Sequence, residues 1–229
     1  MTWLTRGGVA AATLVGGAVA WGLGWVALVP LFAFLSSASW LARLAGDADG
    51  PRNARQVVAN GGVAALAAVV HLWPAAAGAI AAAAADTWAT EIGARSTRAP
   101  RLITTGQPVP RGTSGAMTLL GTLGGISGAV AMAAISGLVA PPLRWQGAWV
   151  VALAGVSGML VDSLLGATLQ VRFGCPSCGR VMERPGFCHE TLRRVRGWRW
   201  LDNDAVNLLG SVTGAIVATA GAALSMSGM

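Results

Sequence analysis

Long apolar stretches, separated by segments that carry arginine, proline or glycine, run through most of the 229 residues. A helix needs about 20 apolar residues to cross the hydrocarbon of a bilayer, and several of these stretches reach that length. Hydrophobic residues make up 54% of the chain and charged residues 11%, whereas an ordinary soluble domain carries about 25% charged residues. The sequence therefore predicts a polytopic membrane protein and excludes a soluble globular fold.

We predict an all-α bundle of seven transmembrane helices that forms a single domain over residues 1–229. The predicted helices are Gly7–Trp21, Gly24–Leu44, Arg55–Trp73, Pro74–Arg95, Thr113–Ala140, Gln146–Val171 and Asn203–Met226. Glycine or proline breaks the pattern at Gly22-Leu23-Gly24, Trp73-Pro74 and Pro141-Pro142. An alternative for the first stretch is a secretory signal cleaved after Ala18-Val19-Ala20, but the apolar run continues beyond it, so we expect no cleavage.

The distribution of arginine supports an odd number of helices. All 16 basic residues are arginines, and with seven helices every one except Arg144 lies on the same side as the N-terminus. Because loops that face the cytoplasm accumulate positive charge, we predict a cytoplasmic N-terminus and an external C-terminus in the cell membrane. This topology explains the net charge of +7, so we expect membrane lipid, and not nucleic acid, as the partner of the basic loops.

Three acidic residues interrupt the predicted spans. At 1.5 Å per residue, Asp86 lies about 13 Å and Asp162 about 15 Å inside the cytoplasmic ends of their helices, and Glu91 follows Asp86 on the same helix. Acids that converge in a membrane repel one another unless a cation lies between them. Mg²⁺ prefers such oxygen ligands, so we predict that all three bind it. The alternative is that they form pairs that hold the bundle together.

Other polar groups near the cytoplasmic ends of the helices are candidate substrate contacts. They are Asn60, Thr90, Gln170, Asn203 and Asn207. Gln170 shares a helix face with Asp162 and with Gly166, which leaves room for a close approach to the backbone. For the asparagines, hydrogen bonds between helices are an equally good explanation.

The loop before the fifth predicted helix has features of a phosphate site. We predict that its glycines and hydroxyl residues begin the helix, where free backbone N–H groups attract phosphate. These residues are Gly112, Thr113, Ser114 and Gly115. Arg101 and Arg111 would add charge-assisted hydrogen bonds to the phosphate oxygens. The alternative is that the hydroxyl groups cap the helix without any ligand.

The segment 172–200 is predicted to be a cytoplasmic loop with four zinc ligands. Cys175 and Cys178 have the spacing of a zinc knuckle, and Cys188 and His189 follow them. The cytoplasm disfavours a disulfide, so we predict structural zinc, with a redox motif and incidental cysteines as alternatives. Because Cys188 and His189 are adjacent, placing both in one tetrahedron is awkward.

Several blocks of the sequence resemble the multispan membrane family that includes the phytyl-phosphate kinases of plants and cyanobacteria. The main blocks, in chain order, are Ala59-Asn60-Gly61, Ala85-Asp86-Thr87-Trp88-Ala89-Thr90-Glu91-Ile92-Gly93, Gly112-Thr113-Ser114-Gly115, Asp162-Ser163-Leu164-Leu165-Gly166-Ala167 and Leu201-Asp202-Asn203-Asp204-Ala205-Val206-Asn207. The resemblance covers nearly the whole chain. It implies transfer of a phosphoryl group from a nucleoside triphosphate, CTP in the characterised cases, to an isoprenoid monophosphate. It does not imply roles for individual residues.

The sequence therefore predicts a CTP-dependent isoprenoid (phytyl) phosphate kinase whose active site opens to the cytoplasm. The predicted catalytic residues are Asp86, Glu91, Asp162, Arg101 and Arg111. One alternative is a cytidylyltransferase, which would use the same site to attack the α-phosphate and release pyrophosphate. A second alternative is a transporter with a buried acidic site, against which the near absence of charge on the external side argues.

Overall fold

The computed structural model describes residues 3–46, 50–140, 144–183 and 186–227. Within these residues the chain forms seven α-helices, which confirms the predicted helical bundle. They are α1 (Arg6–Leu23), α2 (Leu28–Ala45), α3 (Ala54–Val69), α4 (Trp73–Gly93), α5 (Leu119–Val139), α6 (Arg144–Thr168) and α7 (Asn203–Ser227). The predicted break at Pro141-Pro142 lies outside the described residues.

Local capping chemistry explains where several helices begin and end. The hydroxyl of Thr5 accepts a hydrogen bond from the Gly8 N–H at the start of α1, and Gly24, with φ at 83°, ends that helix. Asn53 and Gln56 form a reciprocal capping box at the start of α3. A short 3₁₀ turn over Trp25–Ala27 joins α1 to α2.

Helix α4 lies at the centre of the bundle. Every residue from Ala75 to Ala85 is buried, and α4 packs against α2, α3, α5, α6 and α7. A helix that is apolar on all sides belongs in an interior. Because its side chains are mostly methyl groups, the neighbouring helices come close to its backbone.

Glycines on the neighbouring helices allow this close packing. A Cβ atom at Gly158 of α6 would lie 2.4 Å from the Cβ of Ala82, and a Cβ at Gly214 of α7 would lie 2.4 Å from the carbonyl oxygen of Gly78. On α5, four glycines face α4 in the same way: Gly121, Gly124, Gly125 and Gly128. The glycines therefore hold α5, α6 and α7 at short distances from α4, against small residues at Gly78 and Ala82 and against larger side chains at Trp88 and Ile92.

In the described part of the chain, four helical segments are long and apolar enough to cross a membrane. They are Trp25–Leu44, Leu119–Val139, Gly147–Thr168 and Asn203–Ser225. Helices α1 and α3 have 18 and 16 residues, which correspond to about 27 Å and about 24 Å. Helix α4 is enclosed by other helices, so most of its surface meets protein.

One end of the bundle, referred to below as the loop end, carries the connections that contain arginine. The start of α1 meets the segment before α3, where the Thr5 N–H donates to the Arg52 carbonyl oxygen at 3.0 Å. The start of α3 meets the start of α7, where Arg55 and Asp202 form a salt bridge of 2.7 Å. Arg144 begins α6 at the opposite end. The arginine asymmetry predicted from the sequence thus corresponds to one physical end of the described structure.

Two small β-sheets among the described residues of the loop end were not predicted. Strand β1 (Arg101–Leu102) pairs with β2 (Ala116–Met117), and β3 (Arg172–Gly174) lies between β4 (Val181–Met182) and β5 (Arg193–Arg196), all antiparallel. Strands of two to four residues are too short to show the alternation that indicates a strand. The all-α prediction therefore describes the bundle, and the loop end adds short strands to it.

The prediction that the fifth helix begins at Thr113 is wrong. Helix α5 begins at Leu119, where the hydroxyl of Thr118 accepts a hydrogen bond from the Gly121 N–H at 2.9 Å. Gly112 and Gly115 have φ angles of 78° and 74°, which helix starts do not use. The predicted cradle of helix N–H groups is therefore wrong for all four residues assigned to it: Gly112, Thr113, Ser114 and Gly115 form turns before β2.

The fourth predicted helix, Pro74–Arg95, extends two residues beyond the observed end at Gly93, and two others extend three or four residues too far. The third, Arg55–Trp73, ends at Val69 because the chain reverses through His71, whose φ is 57°. The sixth, Gln146–Val171, ends at Thr168 because the chain then turns into β3. In both places the apolar pattern continues beyond the helix, so hydrophobicity alone did not mark the end.

The predicted topology can be tested with reporter fusions. We expect a reporter after Met229 to be external, and reporters in segment 175–189 and after Gly50 to be cytoplasmic, because the arginine-bearing connections share one end. Protease accessibility in oriented vesicles measures each side. If the reporters after Met229 and in segment 175–189 fall on the same side, the seven-span topology is incorrect.

Candidate functional site

Asp86 of α4 and Asp162 of α6, referred to below as the acid pair, are close enough for their carboxyl groups to interact. Helices α4 and α6 pack closely where Ala82 faces Gly158. Asp86 lies one helical turn after Ala82, and Asp162 lies one turn after Gly158. Helix α7 completes the junction: a Cβ at Gly210 would lie 3.5 Å from the Cβ of Asp162. The acid pair is therefore positioned by three packed helices.

The surroundings of the acid pair leave one carboxylate oxygen without a partner. The Oδ2 atom of Asp162 is buried and accepts no hydrogen bond from any described residue. No arginine in the described part of the chain forms a salt bridge with either acid. Two adjacent carboxylates with an unused buried oxygen fit the oxygen-ligand chemistry of Mg²⁺. Arg55 binds Asp202 and Asp204 instead, so of the alternative structural roles only pairing of Asp86 and Asp162 with each other applies to the acid pair.

Glu91 does not join the acid pair. Five residues along a helix correspond to a rotation of about 140°, so Glu91 lies on a different face of α4 from Asp86. The carboxylates that act electrostatically on Asp162 are Asp86 and Glu183. Thr90, four residues after Asp86, shares its face and is exposed at the loop end. The third acid near Asp162 is thus Glu183, which the sequence analysis missed.

Glu183 connects the two small sheets. The hydroxyl of Ser114, in the loop between β1 and β2, donates to Oε1 of Glu183. The carbonyl oxygen of Ser114 accepts a hydrogen bond from Nη2 of Arg172 at 2.5 Å. Ser114 therefore lies between β3 and the end of β4, where the loop and the three-stranded sheet meet.

Gly115 allows the loop between β1 and β2 to pack directly against the backbone of α6. A Cβ at Gly115 would lie 2.3 Å from the Ala167 nitrogen and 2.4 Å from the Ser163 carbonyl oxygen. Gly166 permits the contact from the other side, because a Cβ there would lie 2.9 Å from the Gly115 nitrogen. The space predicted at Gly166 is thus filled by the loop, one turn beyond Asp162.

We expect Gly115→Ala to lower the melting temperature of the detergent-solubilised protein, with a cost on the order of 1–3 kcal/mol from backbone strain and overlap with α6. Gly112→Ala is the matched control, because Gly112 also has a positive φ but has no atom within 4 Å of its Cβ position. Equal melting temperatures for the two variants would show that the close contact with α6 does not stabilise the loop.

Arg101 and Arg111, the predicted phosphate ligands, have backbone partners in the structure. Arg101 donates to the Gly106 carbonyl oxygen at 2.7 Å. Arg111 donates to the Ala94 carbonyl oxygen at 3.0 Å and to that of Ser96. Arg111 thereby satisfies carbonyl groups that the end of α4 leaves free. Both arginines hold the conformation of the loop, and a role toward phosphate stays a prediction.

The asparagines predicted to contact substrate lie in two places. Asn203, Asn207 and Gly210 share one face of α7, so both asparagines lie on the side that packs toward the acid pair. The side chain of Asn60 donates to the carbonyl oxygen of Gln56 in its own helix at 3.1 Å. Gln170 is buried but lies after the end of α6 at Thr168, so the prediction that it shares a helix face with Asp162 is wrong. Their contact with a substrate stays a prediction.

The four predicted zinc ligands converge. The ligand atoms of Cys175, Cys178, Cys188 and His189 lie within 4.8 Å of one another. The Sγ atoms of Cys178 and Cys188 are 3.8 Å apart, and Sγ of Cys188 is 3.3 Å from Nδ1 of His189. Thiolates in a tetrahedron with zinc bonds of about 2.3 Å are separated by about 3.8 Å. The adjacency of Cys188 and His189 therefore does not prevent both from reaching one tetrahedron.

The electrostatics of this cluster suit a cation. Hydrogen bonds from backbone N–H groups, that of His189 first and that of Cys178 next, lower the pKa of the Cys175 thiol to about 5. Burial raises the pKa of Cys188, and the neighbouring sulfurs of Cys178 and Cys175 raise it further. A thiolate is the form that binds metal, and a cation would relieve the repulsion among the sulfurs. The zinc itself stays a prediction.

Comparison with known proteins gives the family. The chain matches the family described as integral membrane protein DUF92 over residues 1–215. It is 34% identical to Protein PGR of Arabidopsis thaliana over 54% of this chain and 46% of that protein. It is 33% identical to the chloroplastic Protein VTE6 of the same plant, over 58% of this chain and 33% of that protein.

A further relative is archaeal. An uncharacterized membrane protein of Methanocaldococcus jannaschii is 31% identical over 72% of this chain and 60% of that protein. The chain spans less than two thirds of the length of each of these relatives. No solved structure matches. The family match covers nearly the whole chain and confirms the resemblance found in the sequence motifs, so the protein belongs to the DUF92 family of integral membrane proteins.

Proposed function

We propose that this protein is a membrane-embedded kinase that transfers the γ-phosphoryl group of CTP to an isoprenoid monophosphate of the phytyl type. The products are the isoprenoid diphosphate and CDP. The observation that carries the proposal is the acid pair, in which carboxylates from two helices meet at a buried junction and leave Oδ2 of Asp162 without a partner. The resemblance to the phytyl-phosphate kinase family supports the choice of acceptor.

Asp86 and Asp162 would hold Mg²⁺, which supplies neutralisation of the phosphate charges during transfer. The packed helices α4, α6 and α7 fix the separation of the two carboxylates before substrate arrives. Asn207 lies on the α7 face toward the acids, where its amide would orient a phosphate oxygen. Phosphoryl transfer depends chiefly on such positioning and on electrostatic stabilisation.

The depth of the acid pair suits a lipid acceptor. Asp162 lies six residues before the end of α6 at Thr168, about 9 Å by helical rise and less than the predicted depth of about 15 Å, because α6 ends before Arg172. A prenyl chain in the hydrocarbon would therefore bring its phosphate to the acids, while the nucleotide would approach from the loop end, which we propose faces the cytoplasm. The acceptor phosphate oxygen is already anionic, so no general base is required for its attack on the γ-phosphorus.

Product analysis tests the proposal. Purified protein with Mg²⁺, labelled CTP and a panel of prenyl monophosphates is expected to yield CDP and a prenyl diphosphate. Pyrophosphate together with a CMP-linked lipid would show nucleotidyl transfer at the same site, which contradicts the kinase assignment. Absence of any transfer from CTP, ATP, GTP or UTP in lipid nanodiscs would contradict both chemistries.

A further inference from the structure

Three buried N–H donors at the loop end have no hydrogen-bond partner among the described residues. They are Nε2 of Gln170, Nε of Arg172 and Nε of Arg196. The Gln170 residue is only 1% exposed. A buried donor without a partner is costly, and native proteins contain few of them. Three such groups close together therefore indicate an unaccounted acceptor.

The three side chains surround a single turn of α6, at Gly166. Nη2 of Arg196 donates to the Gly166 carbonyl oxygen at 2.8 Å. Oε1 of Gln170 and the Cβ of Ser114 each lie 3.3 Å from the position that a Gly166 Cβ would occupy. The Ser114 carbonyl oxygen in turn accepts the hydrogen bond from Arg172. The unpartnered donors thus belong to one cluster, and Gly166 lies one turn beyond Asp162.

The charges in the cluster also favour an anion. Arg172 and Arg196 are directly paired across β3 and β5, and like charges at such a position destabilise a sheet. Burial lowers the pKa of Arg172, the charge of Arg196 lowers it further, and Glu183 partly opposes both effects. Oε1 of Glu183 is already occupied by the Ser114 hydroxyl. A bound anion would offset the repulsion that remains between the two guanidinium groups.

We propose that Gln170, Arg172 and Arg196 form a binding site for phosphate oxygens. Guanidinium forks match the geometry of phosphate, and an amide N–H adds a directional donor. The assignment of this phosphate to the reaction rests on the proposed kinase function, whereas binding of phosphate does not. The phosphate belongs either to the nucleotide or to the head group of the prenyl acceptor, because both could reach a site one turn beyond Asp162.

The test measures binding and not turnover. Binding of CTP, inorganic pyrophosphate and a prenyl monophosphate to the purified protein in nanodiscs is compared for wild type, Arg172→Gln and Arg196→Gln. Each variant is expected to weaken at least one ligand on the order of 10- to 100-fold. Arg199→Gln, an exposed arginine of the same segment, is the matched control and is expected to bind as wild type does.

The pattern of losses identifies the source of the phosphate. Weaker CTP and pyrophosphate binding assigns the site to the nucleotide, and weaker prenyl monophosphate binding assigns it to the acceptor. Either result supports the site, even if the protein transfers no phosphoryl group in the product assay. Unchanged binding of all three ligands by folded variants overturns it.

A measurement on the wild-type protein tests the site even if the variants do not fold. Trp198 pairs with Gln170 through a backbone bridge, so an anion bound by this cluster is expected to slow amide hydrogen exchange in segments 169–174 and 193–198. Pyrophosphate and CTP represent the nucleotide, and prenyl monophosphate represents the acceptor. No change in exchange with any of them would overturn the site.

Discussion

Asp86→Asn and Asp162→Asn are each expected to lower phosphotransfer turnover on the order of 10²-fold or more while the protein stays folded. The reason is that an amide oxygen carries no net charge, so each variant removes electrostatic stabilisation from the metal and from the phosphates in the transition state. Removing one of two adjacent carboxylates also removes repulsion. The melting temperature in detergent is therefore expected to be unchanged or higher.

A structural role for the acid pair predicts the opposite result. If either acid were the partner of a buried cation in the fold, its neutralisation would destabilise the protein by about 3–5 kcal/mol. Asp204→Asn provides the matched control, because Asp204 lies at the loop end but pairs with the exposed Arg55, and such pairs contribute little. Unfolded acid-pair variants, or folded ones with normal turnover, would show that Asp86 and Asp162 are not the catalytic metal ligands.

Loss of the zinc ligands is expected to disorder the loop end more than any other part of the protein. The wild-type protein should contain about one zinc per chain by elemental analysis, and the double variant Cys175→Ser/Cys178→Ser should contain none. Structural zinc contributes about 10–16 kcal/mol in small zinc-finger peptides. Because β3 and β5 carry Arg172 and Arg196, loss of the metal should expose segment 172–200 to proteolysis and reduce turnover through disorder.

The location of the disorder distinguishes the loss of structural zinc from a general folding defect. Helix content and the order of α1 to α6 should persist in the double variant, since the cysteine cluster lies outside the bundle. Ser177→Ala, a change between the two cysteines, is the control and should keep its zinc. Wild-type protein without metal, together with a double variant as resistant to protease as wild type, would rule out structural zinc.

The helical bundle and the convergence of Asp86 and Asp162 could be predicted from the sequence, because both follow from the lengths of helical segments. A span of about 30 Å requires a minimum run of apolar residues, and the rise per residue places Asp86 and Asp162 at similar depths. Rotation about the helix axis is equally fixed by the sequence. Applied to Glu91, it separates that residue from Asp86 by about 140°, so depth alone overestimated the number of converging acids.

The loop end was less predictable because its contacts are made by very short strands and turns. Glu183 and Ser114 are 69 residues apart, and no local pattern indicates that they meet. Gly112 and Gly115 suit a helix start and a turn equally well in the sequence, and only the pairing of β1 with β2 decides between them. Arg172 and Arg196 entered the sequence analysis as markers of topology, since their cross-strand pairing is not visible there.

The contact between Ala82 and Gly158 sets the separation of α4 and α6 next to the acid pair, and therefore the width of the proposed metal site. The acid pair lies one turn beyond this contact on both α4 and α6. A methyl group added at Gly158 would meet the Ala82 Cβ at 2.4 Å and the Gly210 carbonyl oxygen at 2.6 Å, so the helix axes would have to separate. The carboxylates would move apart with them, so the radius of the cation proposed to bind between Asp86 and Asp162 would depend on Gly158, a residue outside the proposed ligand set.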